Sequence, residues 1–280
     1  MKTEFISIAL SVPEESQDLL IGLLSMMDFS GIEQSHDTMI ILFNALDYHD
    51  DIEGYIIDLA KQYDIECSII NKVIIQDQNW NKEWEESLEP IIVNETIAIT
   101  PEWKRSEVNH PITIIINPQM AFGTGYHPTT RMVCKELQKW VKPNSHWIDA
   151  GCGSGVLGIL ASKLGSTDIY AFDNDEWSVQ NAKDNAQLNG IDTMRVEQAD
   201  IFTLDIPSVH GIAANMYRNI ILPNLTKFHD ALIDEHGILI LSGILAIDAD
   251  EILHAAQQQG FKHVTTVQEM DWVAITLSTV

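Results

Sequence analysis

Residues 149 to 155 read Asp-Ala-Gly-Cys-Gly-Ser-Gly, with an apolar run before them and a helix-favouring run after. Glycines at alternate positions let a backbone turn sharply and approach a ligand closely. The N-terminus of the following helix then offers free N–H groups. Such a strand–loop–helix unit belongs in an open parallel sheet, and the surrounding sequence repeats the alternation. Strands are expected at 112–116, 147–149, 169–172, 194–197, 211–214 and 237–242. Helices are expected at 129–140, 155–163, 177–188, 220–232 and 249–259, the third of these ended by Asn189-Gly190. The runs 263–267 and 272–277 are too close for a crossover and imply a hairpin, which puts an antiparallel strand into the sheet. The expected fold class is α/β, with a Rossmann-like, mostly parallel sheet and a C-terminal antiparallel hairpin.

The first 75 residues follow another order. Strand patterns at 3–10, 31–36, 38–43 and 65–75 alternate with helical spacing at 13–27 and 52–63. Strand-helix-strand-strand-helix-strand is the order of a small ferredoxin-like α+β domain. A connector covers 76–105. It has a polar, helix-favouring stretch with Trp80 and Trp84 four apart, short strands at 91–93 and 97–100, and Trp103. The two tryptophans share one helical face and are expected to pack rather than to bind substrate.

Charge narrows the partners. The chain has 16 Lys and Arg against 41 Asp and Glu, a formal net of −25. Residues 1–100 hold 20 acidic and 4 basic residues, a net of −16. Such a surface repels phosphate backbones and suits a basic partner, so neither nucleic acid nor an anionic membrane is expected. The 45% of apolar residues suffice for sizeable cores. Cys67, Cys134 and Cys152 form no C-x-x-C pair, and the ten histidines show no ligand spacing. A reducing compartment and no metal are expected. There is no basic region followed by an apolar one at the start, and no apolar run long enough to span a bilayer. A cytoplasmic protein is expected.

The glycine loop alone leaves two enzymes open. Gly153, Gly155 and Gly158 satisfy the dinucleotide pattern G-x-G-x-x-G, and Asp173, ending the next strand, suits ribose hydroxyls in either case. A nicotinamide oxidoreductase therefore competes with an S-adenosylmethionine-dependent methyltransferase. Asp149 two residues before Gly151, with glycines at 151, 153 and 155, resembles the class I methyltransferase motif. The mid-chain position of the loop and the terminal hairpin point the same way.

A closer resemblance lies in residues 117–130, Asn-Pro-Gln-Met-Ala-Phe-Gly-Thr-Gly-Tyr-His-Pro-Thr-Thr. This stretch is similar to a loop of the bacterial methyltransferases of ribosomal large-subunit protein L-eleven. The tryptophan-bearing connector, the loop at 149–155, Ala214-Asn215 and Leu241-Ser242-Gly243-Ile244-Leu245 resemble that family too. The resemblance implies a substrate-recognition domain at 1–75, the connector at 76–105, and a methyltransferase domain at 106–280. It implies a protein N-methyltransferase that uses S-adenosylmethionine and no metal, with lysine and N-terminal amino groups of L-eleven as acceptors.

The resemblance also carries cofactor contacts to Thr130, Gly151, Asp173 and Asn215. Asn215 is expected to be the catalytic residue, its side-chain carbonyl accepting a hydrogen bond from the acceptor amine. Gly153 adds backbone access, Asp200 an acceptor for the adenine amino group, and Phe122 a cover for the bound cofactor. His127 invites a general-base role, but a loop histidine before proline is more often structural. Two departures from the family pattern, Tyr126 and the run Met216-Tyr217-Arg218, fall at the rim of the acceptor pocket.

Overall fold

The computed structural model describes residues 4–24, 27, 29–49, 51–76, 88–118, 122–233 and 236–279. The chain divides into two compact units, residues 1–80 and 81–280. The helix-favouring part of the expected connector, with Trp80 and Trp84, lies outside the described residues.

The first unit runs β1 (Glu4–Ser11), α1 (Glu14–Leu24), β2 (Gly31–Ser35), β3 (Thr38–Asn44), α2 (Ile52–Gln62) and β4 (Ser68–Gln76). Its sheet order is β2-β3-β1-β4, and each described pair is antiparallel. This is the ferredoxin-like arrangement its element order predicts. Period-two burial sets one face: Ile8 and Leu10 of β1 and Met39, Ile41 and Phe43 of β3 are buried, with Ile8 opposite Ile41. Leu20 and Leu24 of α1 and Ile56 and Ala60 of α2 close the same core. Glu14 and Glu15 occupy the first turn of α1, where the helix dipole favours negative charge. The last strand starts later than its Ile- and Val-rich run suggests. Asp64 adopts a left-handed φ of 53° and the Ile65 N–H bonds the Ala60 carbonyl, so buried Ile65 ends α2 instead of opening β4.

The second unit opens with a small sheet of β5 (Ile91–Ile92), β6 (Ile97–Pro101) and β7 (Ile112–Ile116), with a 3₁₀ turn at Glu102–Glu107 between β6 and β7. Here the structure corrects the sequence reading, which placed 112–116 among the strands of the large parallel sheet. Instead β7 runs parallel to β6, with Ile97 opposite Ile112. Its other edge is satisfied by a side chain. Asn189 Oδ1 accepts the Ile115 N–H at 3.0 Å, and its Nδ2 donates to the Ile115 carbonyl at 2.6 Å. An amide that pairs with both backbone groups of Ile115 takes the place of a neighbouring strand.

Beyond β7 come α3 (Pro128–Trp140), β8 (His146–Ala150), α4 (Val156–Lys163), β9 (Asp168–Asp173), α5 (Glu176–Leu188), β10 (Met194–Gln198), β11 (Gly211–Asn215), α6 (Arg218–Ala231), β12 (Ile238–Leu245), α7 (Ala249–Gln258), β13 (Lys262–Glu269) and β14 (Trp272–Ser278). The seven-stranded sheet has the order β10-β9-β8-β11-β12-β14-β13. The strands β8 to β12 pair in parallel, while β14 runs antiparallel to both neighbours. Alternate residues feed two cores. Trp147, Ala213 and Ile240 pack with Val133 and Leu137 of α3 and Ile159 and Leu160 of α4. Ile148, Ile212 and Leu241 pack with Ile221, Leu225 and Phe228 of α6. Strand order reverses between β8 and β11, and ligands bind open α/β sheets in the crevice outside such a reversal.

Candidate active site

The loops at the C-terminal ends of β8, β9, β10 and β11 surround a cavity of about 600 Å³. Gly151, Gly153, Asp173, Asp200 and Asn215 line it, and Phe122 joins them from the loop after β7. The structure thus gathers six of the seven expected residues. Thr130 is buried in the first turn of α3 and does not line the cavity; its neighbour Thr129 does. Phe172, Ile201, Phe202, Met216 and Tyr217 supply apolar and aromatic wall.

The backbone around the glycine loop is fixed from several sides. The Asp173 carboxylate accepts the Gly153 N–H at 2.9 Å on Oδ2 and the Asp175 N–H at 3.1 Å on Oδ1, which leaves lone pairs on both oxygens. Gly153 has φ 51°, and a Cβ there would stand 2.5 Å from the Phe122 carbonyl oxygen, so no larger residue fits. The Ser154 N–H donates to that same carbonyl at 2.8 Å, which holds Phe122 beside the loop. On the opposite wall a Cβ at Gly243, φ 80°, would lie 2.4 Å from the Met216 carbonyl oxygen. Close approach of two chain segments, rather than flexibility, accounts for both glycines. Asp200 accepts the Phe202 N–H at 2.9 Å, turning the chain at the cavity edge.

Among the described residues three polar atoms in this part of the fold are buried without a protein partner: Asn215 Oδ1, Thr130 Oγ1 and Asp149 Oδ1. A buried acceptor that finds no donor costs about 1–3 kcal/mol. Asn215 ends β11 and lines the cavity, so a ligand amine or hydroxyl there would supply the missing donor.

Asp149 is different, because it sits beneath the loop. Its Oδ2 accepts the Gly158 N–H at 2.8 Å, yet burial, reinforced by Asp173, pushes its carboxyl up to about 7. An unfolded aspartate titrates near ~3.9. Between those values the folded chain keeps a proton that the unfolded chain has lost, so stability falls as pH rises through the window. Asp149→Asn is expected to remove about 4 kcal/mol of that decline, at 1.36 kcal/mol per pH unit. Urea unfolding of both chains at pH 4, 5.5, 7 and 8 measures the difference.

His127 caps α3. Its Nδ1 faces Thr129 Oγ1 at 2.7 Å, and its ring packs edge-on against Trp272 at 4.7 Å between centroids and beside Phe122 at 5.4 Å. Burial, and then Arg131, lower its pKa and so disfavour the charged ring. Of the two departures from the family pattern, Tyr126 turns its hydroxyl to the backbone of Glu89 and does not line the cavity. Met216 and Tyr217 do line it, while Arg218 pairs with Glu251 and Asp248.

One supporting set is absent from the motifs. Asn181, Asn185 and Asn189 stand four apart on α5 and its end. Asn181 Nδ2 donates to the Asn117 carbonyl at 2.8 Å, and Asn185 Oδ1 accepts the Asn117 N–H at 2.7 Å. Asn185 Nδ2 also reaches the Ser154 carbonyl at 2.9 Å. These amides tie the glycine loop to the segment leading to Phe122. The repeat i, i+4, i+8 of asparagines is the sequence signal that marks such a ladder.

A strand order of 3-2-1-4-5-7-6 with a glycine loop after the first strand and an acid ending the second defines a class I methyltransferase domain. The family model described as ribosomal protein L11 methyltransferase (PrmA) matches residues 9–279, and the chain belongs to that family of S-adenosylmethionine-dependent protein methyltransferases. A ribosomal protein L11 methyltransferase of Porphyromonas gingivalis is 32% identical over 266 residues, covering 94% of this chain and 90% of its own. One of Acetivibrio thermocellus is 33% identical over 204 residues, 72% of this chain, and the match spans 65% of that relative's length. The crystal structure of a ribosomal protein L11 methylase from Lactobacillus delbrueckii subsp. bulgaricus superposes with a TM-score of 0.63 at 28% identity, covering 69% of this chain and 99% of that one.

Proposed function

We propose that this chain methylates ribosomal protein L11 in the cytoplasm, using S-adenosylmethionine, at lysine side chains and the N-terminal α-amine. The observation that carries the reading is the unpartnered Asn215 Oδ1 at the wall of the cavity that Gly151, Gly153 and Asp173 share. When bound, S-adenosylmethionine supplies a methyl group made electrophilic by its sulfonium.

The protein's part is to hold and to orient. Asp173 has lone pairs left for ribose hydroxyls, and the φ of 67° at Gly151 brings bare backbone to the cavity. Asp200 accepts from the adenine amino group and Phe122 covers the ligand. The Asn215 carbonyl accepts an N–H of the incoming amine and turns its lone pair toward the methyl group. A lysine amine is almost wholly protonated at neutral pH, with pKa ~10.4, against ~7.7–8 for an α-amine. A neutral acceptor such as Asn215 stabilises ammonium less than a carboxylate would, and the apolar wall of Met216 and Tyr217 disfavours the charged form further. Positioning and desolvation then supply most of the rate. The acidic first unit recognises the basic substrate.

Single-turnover transfer of labelled methyl groups to purified L11 tests this. The wild-type chain is expected to label L11. Asn215→Ala is expected to slow transfer about 10²-fold, well beyond its weakening of cofactor affinity. If rate and affinity fall together, the lone-pair-orienting role is wrong; if L11 stays unlabelled while another basic protein or a small amine is labelled, the substrate assignment is wrong.

A further inference from the structure

A second cavity, of about 260 Å³, shares no lining residue with the first. It lies among the 3₁₀ turn carrying Arg105, strand β7 and the C-terminal ends of α4 and α5, and its polar lining is Arg105, Asn109, His110, Thr113, Lys163 and Asn189. Among the described residues no carboxylate lines it. Acidic partners are plentiful in a chain of net charge −25, and Lys72, Lys104, Arg131, Lys135, Lys139 and Arg218 have them. Neither Arg105 nor Lys163 has one among the described residues. Partial burial and then the repulsion of Arg105 lower the Lys163 pKa. His110 Nδ1 is buried without a partner, while the Asn189 amide is fully used in bonding Ile115 and the Asn185 carbonyl. Two converging cations and an unpartnered imidazole nitrogen form a concave site that lacks only its counter-charge.

We infer that this cavity binds a phosphate-class dianion, either inorganic phosphate or a small phosphomonoester. The volume leaves room for one phosphate group together with a small substituent. Glu102 and Glu107, on the same turn as Arg105, disfavour a polyanionic strand lying across the site. An anion held here joins the 3₁₀ turn, β7 and the end of α4. Because β7 leads directly into Asn117, whose backbone Asn181 and Asn185 hold, the bound anion stiffens the strand that enters that anchor.

Calorimetric titration and thermal unfolding of the full-length chain test the site, with inorganic phosphate and ribose 5-phosphate as probes and chloride at equal ionic strength as control. Saturable binding is expected, with an unfolding midpoint that rises and levels off, and the tighter of the two probes identifies the source of the phosphate group. Arg105→Gln, at an exposed position, and Lys163→Gln are each expected to weaken binding at least tenfold while leaving S-adenosylmethionine affinity unchanged. An equal midpoint rise in chloride, or an unaltered response in Arg105→Gln, would overturn the inference. So would displacement of phosphate by a short RNA, which would identify a nucleic-acid contact instead.

Discussion

Asp173→Ala is expected to lower S-adenosylmethionine affinity at least a hundredfold, with the fold retained. The carboxylate ends β9 and accepts two backbone N–H groups, from Gly153 and Asp175, so it shapes the loop as well as offering lone pairs to the cavity. Hydrogen bonds to a charged group contribute about 1.5–3 kcal/mol each. Loss of two such bonds to ribose hydroxyls already corresponds to two decades or more of affinity. The Gly153 N–H, freed at the cavity wall, adds to the loss. Asp173→Asn keeps the shape and one acceptor oxygen, so it is expected to fall between the two. Calorimetric titration of the three chains decides the matter: an affinity within threefold of wild type for Asp173→Ala removes this residue from the cofactor site.

Deleting residues 1–80 is expected to abolish methylation of the protein substrate while changing cofactor affinity by less than a factor of three. The two units have separate cores. Ile8, Leu20, Ile41, Phe43 and Ile56 close the first, and the cores on the two faces of the large sheet draw only on residues of the second. Removing the first unit therefore takes no residue out of either of those cores. Residues 1–80 hold 15 acidic and 3 basic residues, and one of those three, Lys72, is paired with Glu53. Exposed Glu15, Asp18, Glu33, Asp37, Asp58 and Glu66 present that charge to solvent. A field of this sign raises association rates for a basic partner by ~10- to 10³-fold at low salt. The Debye length falls to ~3 Å in 1 M salt, so substrate capture by the intact chain should slow steeply as salt increases. Substrate capture that ignores salt, or a truncated chain that still methylates L11, would return the charge to a role in solubility.

Several elements were legible because short-range patterning is sufficient to specify them. The alternation in 3–10 puts Ile6, Ile8 and Leu10 on one face whatever the strand pairs with, and it appears as β1. The loop at 149–155 was legible for a related reason: glycines at 151, 153 and 155 all take positive φ, a local property of the backbone. The loop ends that carry Asp173, Asp200 and Asn215 follow once the parallel order is recognised, because successive parallel strands bring their C-terminal ends to one edge. The partner of 112–116 was not legible. An isoleucine run reads the same in either sheet, and the Asn189 side chain that satisfies its free edge lies more than 70 residues away.

The site divides along the same line. By itself the sequence determined the two folding patterns, the glycine loop with its neighbouring acid, and the uneven charge, because each depends on residue type and near spacing. Only the tertiary structure showed that Thr129 rather than Thr130 lines the cavity, that His127 caps a helix between Phe122 and Trp272, and that Asn215 Oδ1 is left without a donor. Tertiary packing alone brings Arg105, His110 and Lys163 to one cavity with no carboxylate among its described lining residues. Whether a polar atom is paired or orphaned depends on which distant segments pack around it, and no spacing along the chain encodes that.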